Sequence, residues 1–109
     1  MGKLSAKTTE PHLRNLIGAH DHLDHVRVRA RGAVLTLESG PKDDPVPHAR
    51  FRRDTVHLWL LEMPMRGDRW DRTGMRDTLD NLVETLITTF PWMLEPIAEN
   101  PERTSDPQY

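Results

Sequence analysis

Residues 26 to 37 read Val-Arg-Val-Arg-Ala-Arg-Gly-Ala-Val-Leu-Thr-Leu, three arginines alternating with three small apolar residues ahead of a glycine. That is the period of a half-buried β-strand entering a hairpin. Successive strand side chains point to opposite faces, so Val26, Val28 and Ala30 can face a core while Arg27, Arg29 and Arg31 form a row on the other side. The stretch predicts a first strand from about His25 to Ala30, a turn at Arg31-Gly32 and a second strand from Ala33 to Glu38.

The chain has 109 residues, enough for one domain with one modest core at a hydrophobic content of 36%. Its net charge is −2, so no global positive field draws it to nucleic acid or to an anionic membrane, and any basic function has to be local. There is no cysteine, which excludes disulfides and thiolate metal sites and leaves the fold to packing alone. Met1 to Pro11 lacks the apolar core of a secretory signal, and no apolar run is long enough to span a bilayer. A soluble, cytoplasmic protein without a membrane role is expected. The arginine-rich, lysine-poor and proline-rich composition is similar to that of small proteins from high-GC bacteria.

Residues 1–8 are small and polar, the composition of a flexible terminus. Thr9, Glu10 and Pro11 read as a helix start, followed at helical spacing by Leu13, Leu16, Ile17 and His20. Ser39 to Pro47 holds Gly40, Pro41, Pro45 and Pro47 and reads as an acidic loop. His48 to Arg53 and Val56 to Met63 predict a second hairpin joined around Asp54-Thr55, and Arg69 to Thr73 a connector that holds Trp70 against the core. Leu79, Leu82, Val83, Leu86, Ile87 and Phe90 recur with a helical period after Asp77 or Thr78 as N-cap, and Pro91 ends the helix. The expected fold is therefore α+β: a four-stranded antiparallel sheet of two hairpins, flanked by an N-terminal and a longer C-terminal helix, in the order αββββα. The domain is expected over residues 9–96, with a disordered tail over 97–109.

His20-Asp21-His22-Leu23-Asp24-His25 reads H-x-H-x-D-H and resembles the metal-binding signature of the metallo-β-lactamase family. In that family the motif follows a buried strand and opens a helix, and later strands complete a dinuclear zinc site. Here a helix precedes the motif and a strand follows it, and the only later histidines are His48 and His57. The chain is accordingly not assigned to that family. His20, His22 and His25 remain candidate ligands for Zn²⁺ or Ni²⁺, against the plainer reading of a polar helix-to-strand junction.

The arginine row has more company. With a two-residue turn at Asp54-Thr55, Arg27, Arg29 and Arg31 share a face with Thr36, Glu38, Arg50, Arg52, His57 and Trp59. Guanidiniums around an aromatic ring suit the backbone and bases of single-stranded nucleic acid, while the plainer reading pairs the arginines with Glu38, Glu62 and the acidic loop. His57 to Met63 is apolar on both faces, with Leu58 and Leu60 on one and Trp59, Leu61 and Met63 on the other, so a cover on each side is expected. Tryptophan, methionine and arginine together are the composition of interface cores.

Arg66-Gly67-Asp68 is read as a turn. Ser5, Ser39 and Ser105 lie in expected loops or tails without a nucleophile-elbow context, so no catalytic residue is identified and no cofactor is expected. The sequence thus predicts a small non-catalytic interaction module. It is expected to self-associate, as a homodimer, or to dock a protein partner through Trp59, Leu61, Met63, Arg27, Arg29, Arg31, Arg50 and Arg52. The alternative is an accessory protein binding single-stranded nucleic acid with the same face, and the third reading a small metal-dependent enzyme at the His20–His25 cluster.

Overall fold

The computed structural model describes residues 5–65 and 69–95. The expected tail over 97–109, the first four residues and the Arg66-Gly67-Asp68 turn lie outside the described residues. Five strands, β1 (Arg27–Arg31), β2 (Val34–Ser39), β3 (Val46–Arg53), β4 (Trp59–Pro64) and β5 (Trp70–Asp77), form one antiparallel meander in the order β1-β2-β3-β4-β5. Helices α1 (Glu10–Gly18) and α2 (Leu79–Thr89) lie on one face of it, so the architecture is αβββββα.

The expected four-stranded sheet is therefore corrected to five strands. The connector of the sequence reading is β5, which pairs Trp70 with Pro64, Arg72 with Glu62 and Asp77 with Trp59. It shows no apolar alternation, since every one of its residues is exposed or only half-buried, and it is bonded on one side only. Gly74, at φ 84°, further breaks its period beside an irregular register between Leu60 and Glu62.

The first hairpin follows from local chemistry. Arg31 pairs with Val34 across Gly32-Ala33, and Gly32 takes the left-handed φ of 58° that such a two-residue turn requires. Helix α2 starts where Thr78 accepts a hydrogen bond from the Asn81 backbone N–H, and the Asp77 carboxylate is held below its ordinary range first by Asn81 Nδ2 and then by the Thr78 N–H.

The core lies between the sheet and the helices. Leu13 and Ile17 of α1, and Leu82, Val83 and Leu86 of α2, meet Leu35, Leu37, Phe51 and Leu61 of the sheet, all buried. Each such side chain contributes about 1.5–3 kcal/mol by leaving water. A 3-10 turn at Pro91–Leu94 lays Leu94 against β3 and closes this layer. At the other end, Ala6 is buried and its N–H donates to the Gly32 carbonyl, so packed structure extends ahead of α1. Among the described residues no helix is long and apolar enough to cross a membrane. Among the described residues no helix lies over the opposite face of the sheet, and it is there that the arginines gather.

Candidate binding interface

Strand pairing decides which side chains share this open face. Arg27, Arg29 and Arg31 stand opposite Glu38, Thr36 and Val34; Thr36 and Val34 stand opposite Arg50 and Arg52; these stand opposite Glu62 and Leu60; and these in turn opposite Arg72 and Arg76. Seven guanidiniums thus meet two carboxylates on the strands, and the Asp54 carboxylate just after β3 pairs with Arg76, which leaves an excess of four positive charges on one surface. In a chain of net charge −2, that leaves the remainder six units negative.

The two glutamates organise the face. Glu62 is only 1% exposed although no helix covers it; its cover is arginine side chains. Arg50 Nε donates to Oε1 at 2.5 Å, Arg52 Nε to Oε2 at 3.3 Å, and Arg72 Nε lies 3.7 Å from Oε2. Burial by itself raises the pKa of this carboxyl, but the hydrogen bonds and charge of Arg50, followed by those of Arg52, outweigh it, and the net shift is downward. Glu38 plays the same part toward β1, with Arg29 Nε donating to its Oε1 at 3.1 Å and Arg27 Nη2 at 3.7 Å from its Oε2. Arg27 also donates to the Gly40 carbonyl at 2.6 Å, which ties the loop after β2 to this face.

Arg50 carries a second contact, its guanidinium carbon lying 4.1 Å from the centre of the Trp70 ring. Arg31 is exposed and has no charged or hydrogen-bonded partner among the described residues. Between them opens a cleft of about 480 Å³, with Val34, Pro45, Pro47 and Trp70 in its walls and Arg29, Arg31 and Arg50 around it. A groove of about 630 Å³ continues round the β1 edge, bringing in Arg14 and Lys42.

Of the residues expected to form the interface, Arg27, Arg29, Arg31, Arg50 and Arg52 do share the open face. Trp59, Leu61 and Met63 do not. Trp59 is 3% exposed and Leu61 fully buried, both under the helices, and Met63 packs half-buried against the same core. The reason is loop length. A two-residue turn pairs Arg50 with Trp59, whereas the actual connection, residues 54–58, pairs Arg53 with Trp59 and Arg50 with Glu62. An odd shift of register moves every side chain of a strand to the other face. The pairing of arginines with Glu38 and Glu62 that the plainer reading expected is present, but sequence reasoning missed Leu60 on this face, and it missed Trp70, Arg72 and Arg76 with the edge strand. The Thr55 side chain, which accepts from the Leu58 N–H at 3.0 Å, marks the longer connection.

The histidines divide. His20 and His22 meet edge to face at 5.6 Å, whereas His25 turns away and hydrogen-bonds the Leu94 carbonyl through Nε2 at 2.6 Å. Among the described residues no group of three or more His, Asp or Glu side chains is placed to hold a metal ion. His48 is the buried histidine that sequence reasoning left unassigned. It occupies the irregularity where β2 pairs Glu38 with Pro47, its Nδ1 bonded to the Met93 carbonyl at 2.8 Å and its Nε2 to Ser39 Oγ at 2.7 Å. Burial, opposed by the Met93 bond and assisted by nearby His25, lowers its pKa, so at neutral pH Nδ1 donates to Met93 and Nε2 accepts from the Ser39 hydroxyl. A serine bonded to a histidine is the arrangement of a nucleophile and its base. Ser39 is 5% and His48 2% exposed, and the pair fastens the 91–94 turn to the sheet. Comparison of the chain with protein-family models, with curated proteins and with solved structures finds no match.

Proposed function

We propose that this chain is a non-catalytic interaction module that docks an acidic protein partner on the open face of its sheet. The observation that carries the reading is the excess of four positive charges on that face in a chain of net charge −2. Guanidiniums rather than ammonium groups supply it, and a planar fork suits bidentate pairing with carboxylates. Glu38 and Glu62 already fix several of these forks in place, so a partner's carboxylates meet donors with little freedom left to lose. A second copy presenting the same face would set four excess positive charges against four, which disfavours face-to-face dimers.

Protein is favoured over nucleic acid on two grounds. Trp70 is the single aromatic ring on this face among the described residues, too few for the row of rings on which successive bases stack. The rest of the chain is acidic and repels a polyanion that runs beyond the patch. The same reading sets the module in the cytoplasm, where a fold without cysteine gives up nothing.

Sedimentation with poly-glutamate, and separately with a single-stranded oligonucleotide of equal charge, tests it at low and high salt. The expected result is salt-sensitive binding of poly-glutamate that is lost in Arg29→Glu/Arg31→Glu. Tighter binding of the oligonucleotide would move the assignment to nucleic acid, and no binding of either would reduce the face to a solubilising surface.

A further inference from the structure

The geometry points to a sequence-reading pocket within this face: the cleft between β2, β3 and Trp70 takes a bulky apolar side chain of the partner, flanked on its own chain by carboxylates. This inference rests on the reading of the open face as a docking surface for an acidic protein. Charge alone would select any acidic surface, but the cleft is not merely charged. Val34, Pro45, Pro47 and Trp70 give it apolar walls, Arg29 and Arg31 stand at the strand edge beside them, and the one carboxylate in its lining, Glu38, is paired with Arg29. At about 480 Å³ it exceeds the volume of one side chain such as leucine or phenylalanine, which leaves space for part of the backbone that carries it. Its walls are stiff. Two are prolines with fixed backbone φ, the third is a β-branched valine within β2, and the fourth is a ring held by the Arg50 guanidinium at 4.1 Å.

The charges around the cleft are unequal, and this sets where a partner's carboxylates go. Arg50 is already bonded to Glu62 and Arg29 to Glu38, whereas Arg31 has no partner among the described residues. A carboxylate next to the inserted side chain therefore meets Arg31 first, with Arg29 beside it on the same face of β1. Apolar walls bounded by unpaired guanidinium reject a uniformly acidic segment less well than they reward one that alternates acidic and apolar residues.

The test uses the full chain and two labelled peptides, one with a phenylalanine flanked by glutamates and one with serine in its place, with fluorescence anisotropy as readout. The phenylalanine peptide is expected to bind at least about tenfold more tightly. Trp70→Ala is expected to abolish that preference, while Arg31→Ala weakens both peptides together. In a Trp92→Phe background two tryptophans remain, and because Trp59 is buried in the core, a blue shift of the total emission reports on Trp70; it is expected with the phenylalanine peptide and not with the serine one, a measurement that stands even if Trp70→Ala does not fold. Equal binding of the two peptides, or a preference that survives in folded Trp70→Ala, overturns the pocket and leaves the acidic docking surface standing. Failure of both peptides to bind overturns the docking surface itself.

Discussion

One sheet builds two surfaces from alternate residues of the same five strands. On the helix side, Leu35, Leu37, Phe51 and Leu61 are fully buried by other apolar groups. On the open side, Glu62 is almost as inaccessible, but it is sealed by arginines that themselves reach water, with Arg52 39% and Arg72 80% exposed in their side chains. Burial thus has two meanings in this molecule. Under the helices it is removal from water, and it supplies stability. Under the arginines it is enclosure by paired charges that still reach water, and it supplies order to a surface while leaving that surface polar.

The sharpest way to break this distinction is to substitute neighbours on one strand. Phe51→Ala leaves a large hole between layers and is expected to cost about 3–5 kcal/mol in urea unfolding. Arg52→Ala, one residue away, is expected to stay below about 1 kcal/mol, and a comparable loss in both would refute the contrast. Glu62→Ala is the intermediate case. It strands three guanidiniums, but Arg52 and Arg72 can turn to solvent, so a loss of about 1–3 kcal/mol is expected rather than the larger penalty of a sealed core charge.

Acid separates the two sides in turn. The pKa of His48 is lowered in the fold, so the unfolded chain takes up the proton more readily; stability is complete above its ordinary value of 6.5 and declines as pH falls below it. The pKa of Glu62 is also lowered, and its contribution is complete above 4.5 and is lost as pH falls below that value toward the folded pKa. Unfolding midpoints followed with pH should therefore decline in two stages, and His48→Gln should remove the upper stage alone. The smallest effect is expected at the rim. Arg76→Ala breaks an ion pair with Asp54 whose groups are both partly exposed, costs at most about 0.2–1 kcal/mol, and becomes neutral at high salt.

How much of this was legible in the sequence depends on how local the determining interaction is. The first hairpin could be read because alternation and a glycine turn lie within a dozen residues, and Arg27, Arg29 and Arg31 do share a face with Thr36 and Glu38. Helix α2 could be read because Leu79, Leu82, Val83 and Leu86 repeat on one stripe, and all four are buried. Strand β5 could not, because an edge strand with aspartate, arginine and glycine has no apolar rhythm and is specified by its neighbour β4. Trp59 was assigned to the wrong side because its face depends on the length of the 54–58 connection, which composition does not encode. The fastening of the 91–94 turn by His25 and His48 was hidden as well, since its bonds end on backbone carbonyls remote in sequence.

The connection between β3 and β4 also sets how this protein can change. Most point substitutions in the 54–58 loop leave the assignment of faces intact, so the loop tolerates exchange of residues. A single inserted or deleted residue that was passed into the pairing of β4 would turn Trp59 and Leu61 outward among the arginines and drive Leu60 and Glu62 beneath the helices. Change of length by two would preserve both surfaces. Divergence of this fold is therefore expected to proceed freely by substitution in that loop and by even steps in its length, with odd steps eliminated as misfolded or aggregating chains.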